Sequence, residues 1–423
     1  MISDVEGEAR AEPASGGGRL AGLRAVPLRR LGGFLGLPLI SAIAPFLVLP
    51  VLLHFVGTRA WAAIAVGQAI GTGTSTLVLL GWTIVGPTMI AEDPSRQRAL
   101  YTQSLVSRLT VFSVAAPVGV VLAALLSPDG ERFAGALMAL AMTMLGLSAA
   151  WLFVGTGQPS LIARYDTVPR VAATGLAALL VAVVPWAWLY PAFLIVTFTA
   201  MAVLVSRKYG ERTQLTPVRT TIAVIRQQWA ATSVSVQAAL NTTLPMALVA
   251  TVAPGAVAGY AALDRVARFM YLVIQPVGLA FQGWVSEPSS SPTQRRRTAS
   301  VVTLGVGLAL ALVFLVAGDL VVRLLFAGQI EVPRVAIVFA AVTIACVALE
   351  TTLSLHHLVP LHMSRWMALS TAVSIAVAAV GVLLLAPRYG IEGAALAVML
   401  ALTAMAATQA LALAGRRFRD RAA

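Results

Sequence analysis

Charged residues are scarce in this sequence. Of its 423 residues, only 11% are Asp, Glu, Lys or Arg, whereas 59% are hydrophobic. Soluble chains carry about 25% charged residues, so this scarcity excludes an ordinary soluble protein. The apolar residues fall into blocks of roughly 20, the length with which an α-helix crosses about 30 Å of hydrocarbon. The sequence therefore predicts an all-α integral membrane protein.

Cysteine is almost absent as well. The single Cys346 lies in an apolar block, which excludes an intrachain disulfide and a cysteine metal cluster. The sequence also lacks a phosphate-binding loop and a loop large enough to hold a catalytic domain. We therefore expect a protein that is not an enzyme and that has no metal site and no cofactor. These absences leave coupling to a proton or sodium gradient open.

Basic residues nevertheless outnumber acidic ones and give a net charge of +13. They do not form the stripe with interleaved aromatics that is typical of a nucleic-acid-binding surface. They occur instead in short clusters between apolar blocks, as the positive-inside rule requires of cytoplasmic loops. We therefore expect a partner in the membrane and no nucleic-acid partner.

Breaks at proline, glycine and charged residues predict twelve transmembrane helices. With the N terminus inside, 23 of the 30 basic residues fall in cytoplasmic segments and 5 in outer loops. This bias predicts a multi-pass protein of the cytoplasmic membrane with both termini in the cytoplasm. The predicted spans are residues 31–57, 61–90, 108–127, 133–155, 169–185, 187–205, 230–253, 256–285, 299–326, 333–357, 365–387 and 390–414.

The predicted spans divide into two six-helix halves around a basic linker. An amphipathic stretch of that linker, residues 218–229, is expected to lie along the membrane surface. A solvated linker and one that contacts anionic lipid both explain its charge. The predicted segments are a disordered tail (1–30), an N-terminal bundle (31–205), the linker (206–229), a C-terminal bundle (230–414) and a basic tail (415–423).

Ionisable residues at membrane depth are costly, so each is a candidate for function. The eighth predicted span carries Asp264 and Arg265, and Arg268, Tyr271 and Gln275 continue the helical face of Asp264. Residues three or four apart on a helix are neighbours, so Asp264 is positioned to neutralise Arg268.

Polar residues on two further spans of the second half also lie on single helical faces. They are Gln237 and Asn241 on the seventh span and Glu350 on the tenth. Because lipid cannot satisfy these groups, we expect the three faces to share an aqueous cavity or to pair with one another. In the second case, Glu350 is the expected partner of Arg265.

The first half has no charged residue within its predicted spans, because Arg108, at the boundary of the third, is counted with the loop before it. Its second span instead carries Gln68 together with Gly67, Gly71 and Gly73. The glycines predict close packing against another helix. The alternative is a flexible, polar wall of the cavity that contains Gln68.

Several segments resemble the multidrug/oligosaccharidyl-lipid/polysaccharide (MOP) flippase superfamily, especially its polysaccharide-unit (O-antigen type) flippases. They lie at the end of the fourth span, the start of the fifth, within the eighth and at the turn into the twelfth. They read WLFVGTGQP (151–159), VPR (168–170), AALDR (261–265) with QP (275–276), and YGIEGAALA (389–397). The resemblance implies two six-helix bundles around a central cavity that opens alternately to each side.

The resemblance also implies a substrate, a polyprenyl-pyrophosphate glycan that is moved from the inner to the outer leaflet for surface polysaccharide synthesis. Arg265 and Arg268 would hold the pyrophosphate, because guanidinium matches phosphate geometry. Membrane lipids and polysaccharide-assembly proteins would be further partners. The expected substrate-binding residues are Gln68, Gln237, Asn241, Asp264, Arg265, Arg268, Tyr271, Gln275 and Glu350.

Three other functions stay open at this point, and the last of them is a non-transporting scaffold that recruits assembly partners through its basic loops. A cation-coupled multidrug exporter of the same superfamily would use Asp264 or Glu350 as its carboxylate. With both carboxylates in the cavity, the two arginines are formally neutralised and the cavity has no net charge. A membrane-embedded enzyme of glycan assembly is the second alternative, which the missing loop domain disfavours.

Overall fold

The computed structural model describes residues 28–211, 218–286 and 291–422. Within these ranges the chain is almost entirely helical and contains no β-strand. The predicted N-terminal tail lies almost wholly outside them. The α-helices are α1 (Leu28–Leu79), α2 (Trp82–Glu92), α3 (Gln97–Leu126), α4 (Arg132–Met144), α5 (Ala150–Gly155), α6 (Pro159–Ile162), α7 (Val168–Val183), α8 (Leu189–Tyr209), α9 (Val218–Gln227), α10 (Trp229–Val252), α11 (Val257–Ser286), α12 (Pro292–Leu325), α13 (Arg334–Thr351) and α14 (Ser364–Ala422).

Glycine kinks divide the two longest helices into separate spans. Gly57 in α1 has φ 83° and Gly390 in α14 has φ 54°, a backbone region that favours glycine because other residues clash there. In the described part of the chain, nine helical segments are long and apolar enough to cross a membrane. Division at the two kinks, together with the more polar α11, brings these segments to twelve. The prediction of twelve transmembrane helices is confirmed.

Other spans are interrupted by short turns rather than by glycine kinks. The fourth span breaks between α4 and α5, where a 3₁₀ turn (Leu145–Leu147) leads into an extended Ser148. The fifth span begins with α6 and a π-helix (Ala163–Thr167) before α7. A second π-helix (Thr352–Leu358) extends α13. The predicted linker helix is present as α9.

Small residues set the packing of the second transmembrane helix, residues 58–79 of α1. A Cβ atom on Gly71 would lie 2.5 Å from the carbonyl oxygen of Ala139 in α4, and one on Gly67 would collide with the backbone of Gly135. The prediction of close packing at Gly67 and Gly71 is therefore confirmed. The other side of residues 58–79 contacts α10 and α11 of the second half.

This helix belongs to a hydrophobic core that is formed by residues of both halves. Trp61 is 1% exposed, donates from Nε1 to the carbonyl of Ala258 at 3.3 Å, and packs edge-on against Phe326 with ring centroids 5.6 Å apart. Near the other end of the helix, a Cβ atom on Gly81 would press against Ala231 in α10. Residues 58–79 are thus packed between the two six-helix bundles.

Arg108 is a charged residue inside the first half, where the sequence predicted none. The sequence places it at the boundary between a loop and the third predicted span, but α3 begins eleven residues before it and its side chain is fully buried. Its guanidinium donates to the carbonyls of Gly146 at 3.1 Å and Ser148 at 2.7 Å. These carbonyls belong to the break between α4 and α5, where the helical hydrogen-bond ladder is interrupted. Arg108 therefore stabilises a broken transmembrane helix.

The glycine packing predicts that Gly67→Ala lowers the thermal stability of the purified protein. The added methyl group forces α1 away from α4 and costs about 1–3 kcal/mol. Gly175→Ala is the matched control, because nothing lies within 4 Å of its added Cβ atom. Thermal unfolding in detergent, followed by tryptophan fluorescence, measures both. Equal melting temperatures for the two variants would contradict the packing.

The burial of Arg108 predicts that Arg108→Ala is strongly destabilising. Removal of the guanidinium leaves two carbonyls at the helix break without their donor and costs about 2–4 kcal/mol. Arg98→Ala is the control, since Arg98 is exposed on the same helix. The same unfolding measurement compares them, and an Arg108→Ala variant as stable as Arg98→Ala would refute this role.

Candidate substrate cavity

A cavity of about 190 Å³ lies between the two halves. One wall comes from residues 58–79 of α1 and the other from α10 and α11. Arg265 lies eight residues into α11, which corresponds to about 12 Å from the start of that helix and thus near the middle of a bilayer. The lining residues are Trp61, Ala65, Gln68, Ala69, Thr72, Thr242, Thr243, Met246, Ala261, Asp264, Arg265 and Arg268.

Arg265 joins the two halves across this cavity. Its Nη1 donates to Oε1 of Gln68 at 3.0 Å, and its guanidinium carbon lies 5.4 Å from the centroid of the Trp61 ring. These two partners belong to the second transmembrane helix and neither of them is charged. The cation is therefore held by an amide oxygen and the electron-rich face of an aromatic ring.

Arg268 is held within its own half. Its Nε donates to Oδ2 of Asp264 at 2.6 Å and its Nη2 donates to the carbonyl of Thr242 at 2.5 Å. The predicted pairing of Asp264 with Arg268 is confirmed. The two side chains are 24% and 35% exposed, respectively, so the pair borders open space rather than the packed core.

Glu350 lies in a different place from the one that the sequence predicted. Its carboxylate accepts a hydrogen bond from Ser354 at 2.6 Å, and Ser354 also contacts Gln409 at 3.2 Å in α14. Among the described residues, Glu350 has no ion pair with Arg265, so that expected pairing is wrong. The residue spacing defined a polar face on α13 but could not show that this face turns toward α14.

The charge of the cavity changes with this placement. Its lining contains one carboxylate, Asp264, and two guanidinium groups, Arg265 and Arg268. The formal charge of the described lining is therefore +1, rather than the zero that a shared site with Glu350 gives. A cavity with net positive charge in a low-dielectric surrounding attracts anions.

Four other predicted site residues also lie outside this cavity lining. Gln237 donates to the carbonyl of Ala368 at 3.0 Å, and Asn241 accepts from Ser374 at 2.8 Å, so both face α14. Tyr271 packs against the hydrophobic core that the halves share. Gln275 is exposed on α11. The polar residues that the sequence assigned to one cavity thus lie in two places, a cavity between the halves and a polar interface inside the second half.

Among the lining residues that sequence reasoning missed, Trp61, Thr242 and Thr243 carry aromatic or polar groups. The two threonines directly follow Asn241, but helical spacing from Gln237 selected the neighbouring face. Trp61 follows the glycine kink at Gly57 by one helical turn, and its indole was not expected to contact a cation on another helix. Gln68 had been proposed as a cavity wall, and the structure places it there.

Neither a protein-family model nor a curated protein sequence matches this chain. Solved structures do. A multidrug resistance MATE family transporter of the MOP superfamily, in an inward-facing conformation, has a TM-score of 0.59 and 13% identity over 92% of this chain and 97% of its own. A eukaryotic MATE transporter gives 0.58 and 13% over 92% and 95%. The lipid II flippase MurJ, in an inward closed conformation, gives 0.55 and 12% over 90% and 85%.

These similarities extend over nearly the whole of each chain, although the sequence identity is low. They include both a multidrug resistance transporter and a lipid II flippase, so they establish a fold rather than a substrate. The chain has the twelve-helix, two-lobe fold of the MOP superfamily transporters.

Proposed function

We propose that this protein is a MOP superfamily transporter that moves a lipid-linked oligosaccharide, carried on a polyprenyl pyrophosphate, from the inner to the outer leaflet. The net positive charge of the cavity between the halves is the observation that carries the proposal. A pyrophosphate group needs cationic partners at the depth where it crosses the hydrocarbon. Arg265 and Arg268 supply them, eight and eleven residues into α11.

Arg265 has a contact in the cavity that an anion can replace. Its Gln68 partner is neutral, so a phosphate oxygen that replaces the amide oxygen forms a stronger, charge-assisted hydrogen bond. Arg268 is already oriented by Asp264 and by the carbonyl of Thr242. We therefore assign Arg265 as the primary pyrophosphate ligand and Arg268 as a second cation with a fixed position.

The same contact offers a link between binding and alternating access. The bond from Arg265 to Gln68 connects the second half to the first. A substrate that takes Arg265 away from Gln68 removes one contact that holds the halves together on this side. A ligand shifts a conformational equilibrium only through such differential contacts.

A cation-coupled multidrug exporter is the competing function, since MATE transporters share this fold. The carboxylate of Asp264 borders the cavity and is the group that such an exporter would use for a cationic drug or a proton. The second guanidinium disfavours it, because a cationic substrate would enter a site that is already positive. A role in surface polysaccharide synthesis, with assembly proteins as partners in the cytoplasmic membrane, belongs to the flippase proposal.

The flippase proposal predicts that Arg265→Gln lowers transport by at least about tenfold, since the loss of a hydrogen bond to a charged group costs roughly 1.5–3 kcal/mol. Arg265→Lys should retain part of the activity, because it keeps the positive charge but loses the planar guanidinium group that can form two hydrogen bonds to a phosphate. The measurement is complementation of a deletion strain, with quantification of surface glycan and of glycan intermediates left on the cytoplasmic side.

Arg323→Gln is the control for this experiment, because Arg323 is 69% exposed and pairs with Asp319 outside the cavity. It should complement fully, and protein amounts must be equal in all strains. A deletion strain that exports its glycan normally, with no second transporter of this kind present, would sink the flippase proposal.

Asp264→Asn separates the two functions. It raises the formal charge of the described cavity lining from +1 to +2 and frees Arg268 from its carboxylate. A flippase of an anionic lipid should keep its transport or bind substrate more tightly. A cation-coupled exporter should lose drug efflux, because its carboxylate is gone. Glycan export and ethidium efflux, measured in the same strains, distinguish the two results.

A further inference from the structure

A second groove lies at one end of the first half, outside the cavity between the halves. It encloses about 450 Å³ between the π-helix at the start of the fifth span and the last turns of α8. Its lining combines three cations with an aromatic ring and two apolar side chains. These residues are Arg164, Tyr165, Met201, Leu204, Arg207 and Lys208.

The positive charge of this groove is not neutralised by its surroundings. Its lining includes no carboxylate among the described residues. The nearby Asp166 is engaged by Arg170 at 3.2 Å and by Ser148 at 3.3 Å. Glu211 lies in an adjoining groove that shares Arg207. Three cations against this one carboxylate leave a formal charge of +2 over both grooves.

Aromatic rings hold two of the cations in place. The guanidinium carbon of Arg164 lies 5.6 Å, and Nζ of Lys208 lies 5.8 Å, from the centroid of the Tyr165 ring. Lys208 is also 5.3 Å from the ring of Tyr209. Both tyrosines pack on Phe153, which is 1% exposed. The aromatic rings therefore hold the two cations in fixed positions, which lowers the entropic cost of binding a ligand.

The groove is at the level of lipid headgroups. Helix α8 has 21 residues, which span about 31 Å and match the thickness of the hydrocarbon. Its last turn, with Arg207 and Lys208, therefore meets the polar boundary. One turn earlier, Leu204 is 48% exposed and faces the acyl-chain region. Cations at the boundary above exposed apolar residues fit an anionic headgroup with attached acyl chains.

We propose that this groove binds an anionic phospholipid of the cytoplasmic leaflet. The phosphate lies among Arg164, Arg207 and Lys208, and the acyl chains pack on Met201 and Leu204. The leaflet follows from the charge bias, which assigns residues 156–170 and 206–229 to the cytoplasmic side. The site is independent of the transported substrate and of the cavity at Arg265.

The test is lipid binding to the full-length protein in detergent, measured by native mass spectrometry. Phosphatidylglycerol and phosphatidylcholine with identical acyl chains are titrated separately. Each basic residue near an anionic lipid contributes about a fivefold factor in affinity. The triple variant Arg164→Gln, Arg207→Gln, Lys208→Gln should therefore bind its first phosphatidylglycerol roughly a hundredfold more weakly, with phosphatidylcholine binding unchanged.

A matched triple variant, Arg96→Gln, Arg98→Gln, Arg297→Gln, removes the same charge from three exposed residues on the same predicted side. It should keep the affinity of the wild type. If the first triple variant unfolds, the single variants Arg164→Gln and Lys208→Gln replace it. Each is expected to weaken the binding of phosphatidylglycerol about fivefold. Equal losses in both triple variants, or equal affinity of the wild type for the two lipids, would overturn the proposal.

Discussion

The structure depends most on the packing of one helix, residues 58–79 of α1. On one side, Gly67 and Gly71 let its backbone approach α4 of its own half. On the other side, it contacts α10 and α11 of the second half. Because the bilayer core contains no water, the hydrophobic effect does not drive helices together there. Close contact between small residues must hold them together instead. The position of this helix sets the distance between the halves and therefore the shape of the cavity.

The ionisable side chains inside the membrane differ in the kind of partner that each of them contacts. Arg268 has a carboxylate, Arg265 has an amide and an indole, and Arg108 has the carbonyls of a broken helix. Glu350 has a hydroxyl. A ligand does not easily replace a charged side chain or a backbone carbonyl as the partner of an arginine, whereas it can replace a neutral side chain. This difference distinguishes Arg265, which we assign to substrate, from Arg108, which we assign to the scaffold.

The two anion sites that we propose rest on the same chemistry at different depths. The cavity between the halves presents its guanidinium groups near the middle of the bilayer, where the apolar surroundings strengthen their attraction for an anion. The groove at Arg164 and Lys208 presents its cations at the headgroup boundary, where salt screens them and several are needed together. Because α8 contributes to that groove but not to the cavity lining described here, the two sites can be tested separately.

The sequence by itself determined the membrane location, the twelve helices and the pairing of Asp264 with Arg268. These features follow from composition, block length and i, i+4 spacing, which are local properties of the chain. Only the tertiary structure decided which polar faces meet. It brought Gln68 to Arg265 across 197 positions of sequence, turned Glu350 toward α14, and placed Arg108 in the core rather than at the boundary of a loop. The physical reason is that helical spacing fixes a face, whereas packing against other helices fixes the direction in which that face points.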